Sequence, residues 1–312
     1  NFHGHTYTTQ RGTTYNAYLI LDEKIALVDT VYGPFFEVML ERIKEIIPPE
    51  KIDYIIANHV EIDHSGALPQ LLKLCPKAKV LGTAKCKEGL WRNFYCDMDF
   101  QIVKTGDKIN LGKRSLTFIE APMIHWPDSM FTYCSEEKLL LPNDAFGQHY
   151  ATSQRFDDEV NQAELMDEAS KYYANILWPL SSIILKKIEE IQKMKLAIEM
   201  IAPSHGIIWR KDPLKIINAY IGWAKNETEP KVVLVYETMW GATERMAYYI
   251  SEAIIQEGLP ILVFDVNRVD RTQIIKEMLT AKGLIFGSST HDNDMLPNLA
   301  GFLEFLKGLK PK

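Results

Sequence analysis

Residues 58–67 read Asn58-His59-Val60-Glu61-Ile62-Asp63-His64-Ser65-Gly66-Ala67 and place two imidazoles and two carboxylates within six positions. The preceding residues 52–57 are apolar and rich in β-branched side chains, which predicts a buried strand. Ser65 and the leucines at positions 68, 71 and 72 predict a capped helix after the cluster. The cluster is therefore expected between a strand and a helix, where open α/β sheets carry their chemistry.

Three further apolar runs each end near a potential metal ligand. His125 follows residues 115–119, and two more candidates, Asp144 and His205, follow residues 139–141 and 196–202. A single histidine after a strand is often a hydrogen-bonded structural residue, but four such positions together indicate a metal site. Imidazoles and carboxylates without a thiolate suit iron or manganese better than structural zinc, although residue chemistry alone leaves zinc open.

These segments resemble the flavodiiron proteins, also called A-type flavoproteins, and within that family the F420H2 oxidase type. The similarity is carried by residues 58–67, 121–130, 142–146 and 203–206. It implies an α/β fold in which a metallo-β-lactamase-like αββα sandwich is followed by a flavodoxin-like doubly wound domain. The expected domains are a diiron domain at residues 1–226, without its N-terminal strands, and an FMN-binding domain at residues 227–312, without its C-terminal part.

The resemblance also implies roles for particular residues. It assigns one iron to His59, Glu61 and His125, and the other to Asp63 and His205, with Asp144 bridging the two. The zinc hydrolases of the same superfamily typically carry histidine at the position of Glu61. Three residues are expected to act in the pocket without binding metal: His3, His64 and Tyr173. For His3 a solvated chain end, and for Tyr173 a core position, are the alternatives.

The second half of the chain predicts a phosphate-binding loop. Residues 226–230 are polar and end in proline, residues 231–236 form an apolar strand of the parallel kind, and a helix is expected near Glu244. Between them lies Thr238-Met239-Trp240-Gly241-Ala242-Thr243, whose hydroxyls and backbone N–H groups suit a phosphate. The loop lacks the nucleotide motifs that end in Gly-Lys-Ser/Thr or read Gly-x-Gly-x-x-Gly.

This loop resembles the one that holds the phosphate of FMN in flavodoxins. By the same resemblance a second FMN loop contains Ser289, Thr290 and Asn293. His291, in the same loop, is interpreted as a surface or flavin-edge residue, and His149 as a structural or pocket-lining residue. The following strand, helix and strand, near residues 260–266, 272–279 and 283–287, fit a doubly wound domain.

The remaining patterns describe the first domain and its setting. Residues 14–20 and 24–30 predict an antiparallel strand pair, residues 35–47 a helix, and residues 162–198 a long helical region. The formal charge of -6 gives no basic surface for nucleic acid or an anionic membrane. The four cysteines form no Cys-x-x-Cys pair and no signal peptide is visible, so a reducing cytoplasm is the expected location.

The expected activity is that of an oxidoreductase. The resemblance implies reduction of O2 to water or of NO to N2O at a non-haem diiron site, with electrons delivered through FMN from rubredoxin or reduced F420. It also implies a head-to-tail homodimer or a dimer of dimers. Two alternatives remain: a metal-dependent hydrolase of the metallo-β-lactamase superfamily, and an incomplete flavoprotein without enzymatic activity.

Overall fold

The computed structural model describes residues 6–311, so the predicted pocket residue His3 lies outside the described residues. The described chain divides into two compact units. The first unit contains residues 11–166 and 186–217, and the second contains residues 6–10, 167–185 and 218–311. The domain boundary expected at residues 226 and 227 stays a prediction.

The first unit contains a five-stranded sheet in the order β1-β2-β3-β4-β5. Strands β1 and β2 are the antiparallel pair expected from the sequence, and each later strand is parallel to its neighbour. Parallel neighbours need crossover connections, and helices supply them here. The elements are β1 (Tyr18–Ile20), β2 (Ile25–Val28), α1 (Phe36–Lys44), β3 (Ile52–Ile56), α2 (Ile62–Ser65), α3 (Leu68–Leu74), β4 (Lys79–Gly82), α4 (Ala84–Phe94) and β5 (Phe100–Ile102).

A second five-stranded sheet, in the order β10-β9-β8-β7-β6, completes this unit. It is antiparallel except for the last pair, β9 and β10. Its strands are β6 (Lys108–Asn110), β7 (Ser115–Glu120), β8 (Met130–Cys134), β9 (Leu139–Leu141) and β10 (Met200–Ile201). Val28 and Ile56 of the first sheet belong to one buried cluster with Phe118 and Leu141 of the second.

The other face of the first sheet packs on helices. Leu27 and Ile55, one position away from the residues that face the second sheet, belong to a separate cluster with Leu40 of α1 and Leu71 of α3. Successive strand residues point to opposite faces, so both faces of these strands are apolar. The arrangement of helix, sheet, sheet and helix is the expected αββα sandwich.

The second unit is built on three parallel strands in the order β12-β11-β13. Its elements are β11 (Glu229–Glu237), α8 (Ala242–Gln256), β12 (Ile261–Asp265), α9 (Arg271–Met278), β13 (Ala281–Ser288), the hairpin β14 (Thr290–His291) and β15 (Asp294–Met295), and α10 (Pro297–Leu309). This alternation of strand and helix is the expected doubly wound topology. The hairpin was not predicted, because its strands have two residues each and carry no periodic pattern.

The helical region expected at residues 162–198 is confirmed from Gln162 to Lys193. Within it, α5 (Gln162–Tyr172) and α6 (Ser181–Lys193) are joined by a π-turn and a 3-10 turn around Pro179, which has no backbone N–H to donate. One local expectation was wrong. Ser65 does not cap α3, which starts after Ala67; its hydroxyl donates to the carbonyls of Val60 and Glu61 instead.

Helix α7 (Pro213–Ala224) precedes β11. Between residues 6 and 311, no helix combines the length and apolarity needed to cross a bilayer.

Candidate metal centre and phosphate-binding loops

The predicted ligands come from four connections of the first unit. His59 and Glu61 lie between β3 and α2, and Asp63 lies on α2. His125 lies in the connection between β7 and β8, while Asp144 and His205 follow β9 and β10. The structure thus brings together residues that are up to 146 positions apart, since His59 and His205 both contact Asp144.

The first group of candidate ligands consists of His59, Glu61, His125 and Asp144, whose ligand atoms all lie within 4.8 Å of one another. The Nε2 atoms of His59 and His125 each lie 3.3 Å from Oε2 of Glu61. They lie 3.7 Å and 3.2 Å from Oδ2 of Asp144. Two imidazole nitrogens and two carboxylates therefore point into one small volume.

The second group consists of Asp63, His64 and His205. His205 Nε2 lies 3.2 Å from Oδ2 of Asp63 and 3.3 Å from Oδ1 of Asp144. His64 Nε2 lies 3.4 Å from Oδ1 of Asp63 and 3.0 Å from the same Oδ1 of Asp144. The resemblance implies a pocket role without metal binding for His64, whereas in the structure its nitrogen joins the second group.

Asp144 connects the two groups through its two oxygens. Oδ2 faces His59 and His125, and Oδ1 faces His64 and His205. Burial would raise the pKa of Asp144, but the surrounding imidazoles outweigh burial and hold that pKa well below its usual range. The carboxylate is thus ionised and placed as a bridge between two cations would be.

The neighbouring carboxylates raise the pKa values of the histidines. Burial lowers the pKa of His125, but the carboxylates of Asp144 and Glu61 outweigh it and raise the pKa to about 9. For His205 the carboxylates of Asp144 and Asp63 raise the pKa to about 10 against the effect of burial. Protons therefore balance the carboxylates when no cation is bound, and a metal ion would displace them.

Several buried polar atoms of the two groups lack a hydrogen bond of acceptable geometry. They include both carboxylate oxygens of Asp63, Oδ2 of Asp144 and both ring nitrogens of His64. Burying a polar or charged atom without a partner costs free energy, so buried charges are usually paired with an opposite charge or bound to a metal. The nitrogen and oxygen donors, the shared carboxylate and these unsatisfied atoms fit two metal ions.

Two contacts outside these groups were missed by sequence reasoning. Nδ1 of His59 lies 3.0 Å from Oδ2 of Asp128, which is 2% exposed. Nδ1 of His205 donates to the backbone carbonyl of Thr14 at 2.6 Å. Asp128 belongs to the quoted segment 121–130, but only the folded chain reveals its histidine partner, because 69 positions separate the two residues.

The first group lies nearer to solvent than the second. The side chain of Glu61 is 22% exposed, whereas that of Asp63 is 10% exposed. The ring of Trp126, which is 41% exposed, lies edge-on to His59 with ring centroids 5.2 Å apart. Met123 is similarly exposed. Glu61 is therefore more accessible from solvent than Asp63.

The structure gives His149 and Tyr173 well-defined buried surroundings. His149 Nδ1 lies 2.7 Å from the hydroxyl of Thr13. The hydroxyl of Tyr173 lies 2.9 Å from that of Ser181, and its ring packs against Tyr220. Burial raises the pKa of Tyr173 to about 12. A pocket role for Tyr173 stays a prediction.

The predicted phosphate loops meet in the second unit. Residues 238–241 connect β11 to α8, and Gly241 has a φ of 80°, which glycine adopts without strain. The backbone N–H of Gly241 donates to the Thr238 hydroxyl at 3.0 Å. The hydroxyls of Thr243 and Ser289 lie 3.0 Å apart, so the two predicted loops are in direct contact.

The other predicted loop residues are mostly exposed. Trp240 is 88% exposed and Met239 is 42% exposed. The N–H of Met239 donates to the Ser289 hydroxyl at 3.3 Å. Thr290 lies on β14, and Asn293, with a φ of 63°, lies in the hairpin turn. Helix α8 begins at Ala242, so hydroxyls and a helix N-terminus come together as phosphate binding requires.

Family models match both parts of the chain. The model of the ODP family beta lactamase matches residues 13–206, and the model of flavodoxin matches residues 234–312. The chain is 55% identical to a nitric oxide reductase of Moorella thermoacetica over all of its length and 78% of that protein. It is 43% identical to the coenzyme F420H2 oxidase of Methanothermobacter marburgensis, over 99% of the chain and 78% of that protein.

Solved structures give the same result. The chain superimposes on the rubredoxin oxygen:oxidoreductase of Desulfovibrio gigas with a TM-score of 0.97 and 38% identity, covering 99% of the chain and 78% of that protein. It superimposes on the flavodiiron protein of Giardia intestinalis with a TM-score of 0.95 and 36% identity, covering 98% and 75%. The similarity extends over both the metal-binding and the phosphate-binding regions.

Proposed function

The chain belongs to the flavodiiron protein family, and on that basis we propose that it is an oxidoreductase that reduces O2 to water, NO to N2O, or both. The observation that carries this proposal is the pair of ligand groups that share Asp144. When bound, a non-haem iron pair and FMN would supply the electrons for the reduction, and the protein would supply their placement.

We assign the first iron to His59, Glu61 and His125, and the second to Asp63 and His205, with Asp144 between them. The support is the set of distances between these atoms, together with the buried oxygens of Asp63, which have no hydrogen bond of acceptable geometry among the described residues. His64 offers a further nitrogen to the second iron. Its expected role therefore changes from a pocket residue to a candidate ligand.

The chemistry of the ligands favours reduction over hydrolysis. Glu61 supplies an oxygen ligand at the position where zinc hydrolases of this fold typically carry histidine. Three carboxylates, from Glu61, Asp63 and Asp144, offset much of the mutual repulsion of two dications and form a hard set of ligands that suits iron. The hydrolase alternative has no comparable observation in its favour.

For FMN, we propose that residues 238–243 hold the phosphate and that Ser289, Thr290 and Asn293 contact the cofactor. The contact between Thr243 and Ser289 supports this proposal, because it places hydroxyls from both loops beside the N-terminus of α8. Trp240, an exposed residue of this loop, would offer an aromatic face to the flavin.

The partners follow from the same family. We propose rubredoxin or reduced F420 as the electron donor, and a head-to-tail homodimer, or a dimer of dimers, as the working assembly. In that assembly the flavin of one subunit would serve the irons of the other. The cytoplasm is the proposed location, with neither nucleic acid nor membrane as a partner, in keeping with the formal charge of -6.

The test starts with the composition of the purified full-length protein. We expect two irons and one FMN per chain, and consumption of O2 or NO in anaerobic assays with reduced rubredoxin or reduced F420. Steady-state rates with both gases would then establish which one is preferred. Zinc without flavin would favour a hydrolase, and a protein with neither metal nor flavin would refute the proposal.

A further inference from the structure

The carboxylate of Asp128 is tied to the first ligand group by two contacts on the same oxygen. Oδ2 lies 3.0 Å from Nδ1 of His59 and accepts the backbone N–H of Val60 at 2.8 Å. The backbone of Asp128 is also fixed, because its carbonyl accepts the hydroxyl of Thr83 at 3.0 Å. Asp128 and His59 are 2% and 1% exposed, so water does not compete for these contacts.

These contacts determine which nitrogen of His59 is available. An ionised carboxylate accepts hydrogen bonds and donates none. Nδ1 of His59 therefore donates to Oδ2 of Asp128, and Nε2, which lies toward Glu61 and Asp144, is the nitrogen left to bind a metal ion. A carboxylate in this position also increases the electron density that the imidazole gives to a metal.

The second ligand group has a different arrangement. Nδ1 of His205 donates to the carbonyl of Thr14, which is a neutral acceptor. Nδ1 of His64 has no hydrogen bond of acceptable geometry among the described residues. A carboxylate hydrogen-bonded to the imidazole is therefore found at His59, whereas the buried carboxylate of Asp29 acts on His64 without a hydrogen bond between them.

We infer that Asp128 is a positioning residue that holds His59 in its Nε2-binding tautomer and makes the first metal position bind its ion more tightly than the second. The inference rests on the two-metal site proposed above. Its physical basis is the contrast between a buried anion behind His59 and a neutral carbonyl behind His205. Asp128 is not itself a ligand, because its carboxylate faces Nδ1 and the Val60 amide.

Asp128→Asn separates charge from geometry. The variant has nearly the same volume, and its amide oxygen can still accept from Val60 and from Nδ1 of His59, so the tautomer is preserved while the charge is lost. The full-length protein, stripped of metal, would be titrated with Co²⁺ against a competing chelator and followed by the visible spectrum. Partners of metal ligands typically contribute about 10- to 100-fold in affinity.

The expected result is two binding steps in the unmodified protein and a loss of about 10- to 100-fold in the tighter step in Asp128→Asn, with the weaker step unchanged. Asp157→Asn is the matched control. Asp157 is also buried and accepts backbone N–H groups from Arg210 and Lys211, and it contacts no histidine within residues 6–311. We expect this control to bind Co²⁺ as the unmodified protein does.

Unchanged affinity in Asp128→Asn, or an equal loss at both positions, would overturn the inference. Fewer than two bound ions in the unmodified protein would instead refute the proposed function, so the two failures are distinguishable. A second measurement needs no variant. In the zinc-loaded protein labelled with ¹⁵N-histidine, His59 should show a hydrogen-bonded Nδ1–H and a metal-bound Nε2; the opposite assignment would overturn the inference.

Discussion

Nε2 of His64 lies 3.0 Å from Oδ1 of Asp144, and this contact gives the second ligand group a second histidine beside His205. His64 follows Asp63 directly on the short helix α2, so the two side chains leave the helix about 100° apart. Both nevertheless reach the same volume, since Nε2 of His64 lies 3.4 Å from Oδ1 of Asp63. The second metal position therefore has two nitrogens available, from His64 and His205.

His64→Gln tests whether this nitrogen binds metal. We expect the second position to lose at least about tenfold in Fe²⁺ affinity, or about 1.4 kcal/mol, because one imidazole ligand is removed while Asp63, Asp144 and His205 remain. Metal content after dialysis at defined free Fe²⁺ measures this loss. Unchanged metal content with reduced turnover would return His64 to the pocket role expected from the sequence.

Asp144→Ala and Glu61→Ala should differ in the amount of metal they lose. We expect Asp144→Ala to lose both irons, since its two oxygens face both groups, and Glu61→Ala to lose chiefly the first. Both variants should lose more than about 100-fold in turnover, equal to about 2.7 kcal/mol. Iron analysis and gas consumption measure the two effects.

Glu88→Ala is the control for this pair, because Glu88 lies on the exposed surface of α4 and pairs only with Lys85 and Arg92 among the described residues. It should retain both irons and full turnover. Retained turnover in Asp144→Ala and Glu61→Ala would contradict the ligand assignment.

Thr243→Val should weaken FMN binding in the full-length protein. The change keeps the shape of the side chain and removes the hydroxyl that lies 3.0 Å from Ser289. A hydrogen bond to a charged phosphate contributes about 1.5–3 kcal/mol, so we expect about 10- to 100-fold weaker binding in a fluorescence titration. Ser251→Ala, further along α8, is the control and should leave FMN affinity unchanged.

Tyr173→Phe should lower the free energy of unfolding by about 1 kcal/mol, because it removes the hydrogen bond to Ser181. Turnover per bound iron should stay within about twofold, since burial raises the pKa of Tyr173 to about 12 and keeps the phenol neutral at neutral pH. Chemical denaturation and steady-state rates measure these quantities. A tenfold loss of turnover with unchanged stability would establish the pocket role.

Cysteine labelling at pH 8 should begin at Cys96, the only partly exposed cysteine among the four. Burial raises the pKa of Cys75 to about 11 and that of Cys86 well above its usual range. At pH 8 only about one Cys75 in a thousand would be a thiolate, the form that reacts. Peptide mapping after brief alkylation measures the order; labelling of Cys86 before unfolding would contradict its burial.

Candidate ligands that follow apolar runs could be identified from the sequence. An apolar run predicts a strand, and the residue after a strand lies at the edge of the sheet. His59, His125, Asp144 and His205 each follow such a run, and the folded chain brings all four together. The sequence also indicated two units, since the alternation of strand and helix after residue 230 differs from the pattern before it. These features depend on local composition, which a linear chain displays directly.

Other features depended on contacts between distant segments. The rotation of α2 decides whether His64 faces Asp144 or solvent, and packing sets that rotation. The contact between Asp128 and His59 joins residues 69 positions apart, and no sequence pattern around either residue predicts the other as its partner. Sequence therefore determined which ligands are available and where each connection lies, while tertiary packing decided which nitrogen and which oxygen face each metal position, because those directions are fixed only when both sheets are in place.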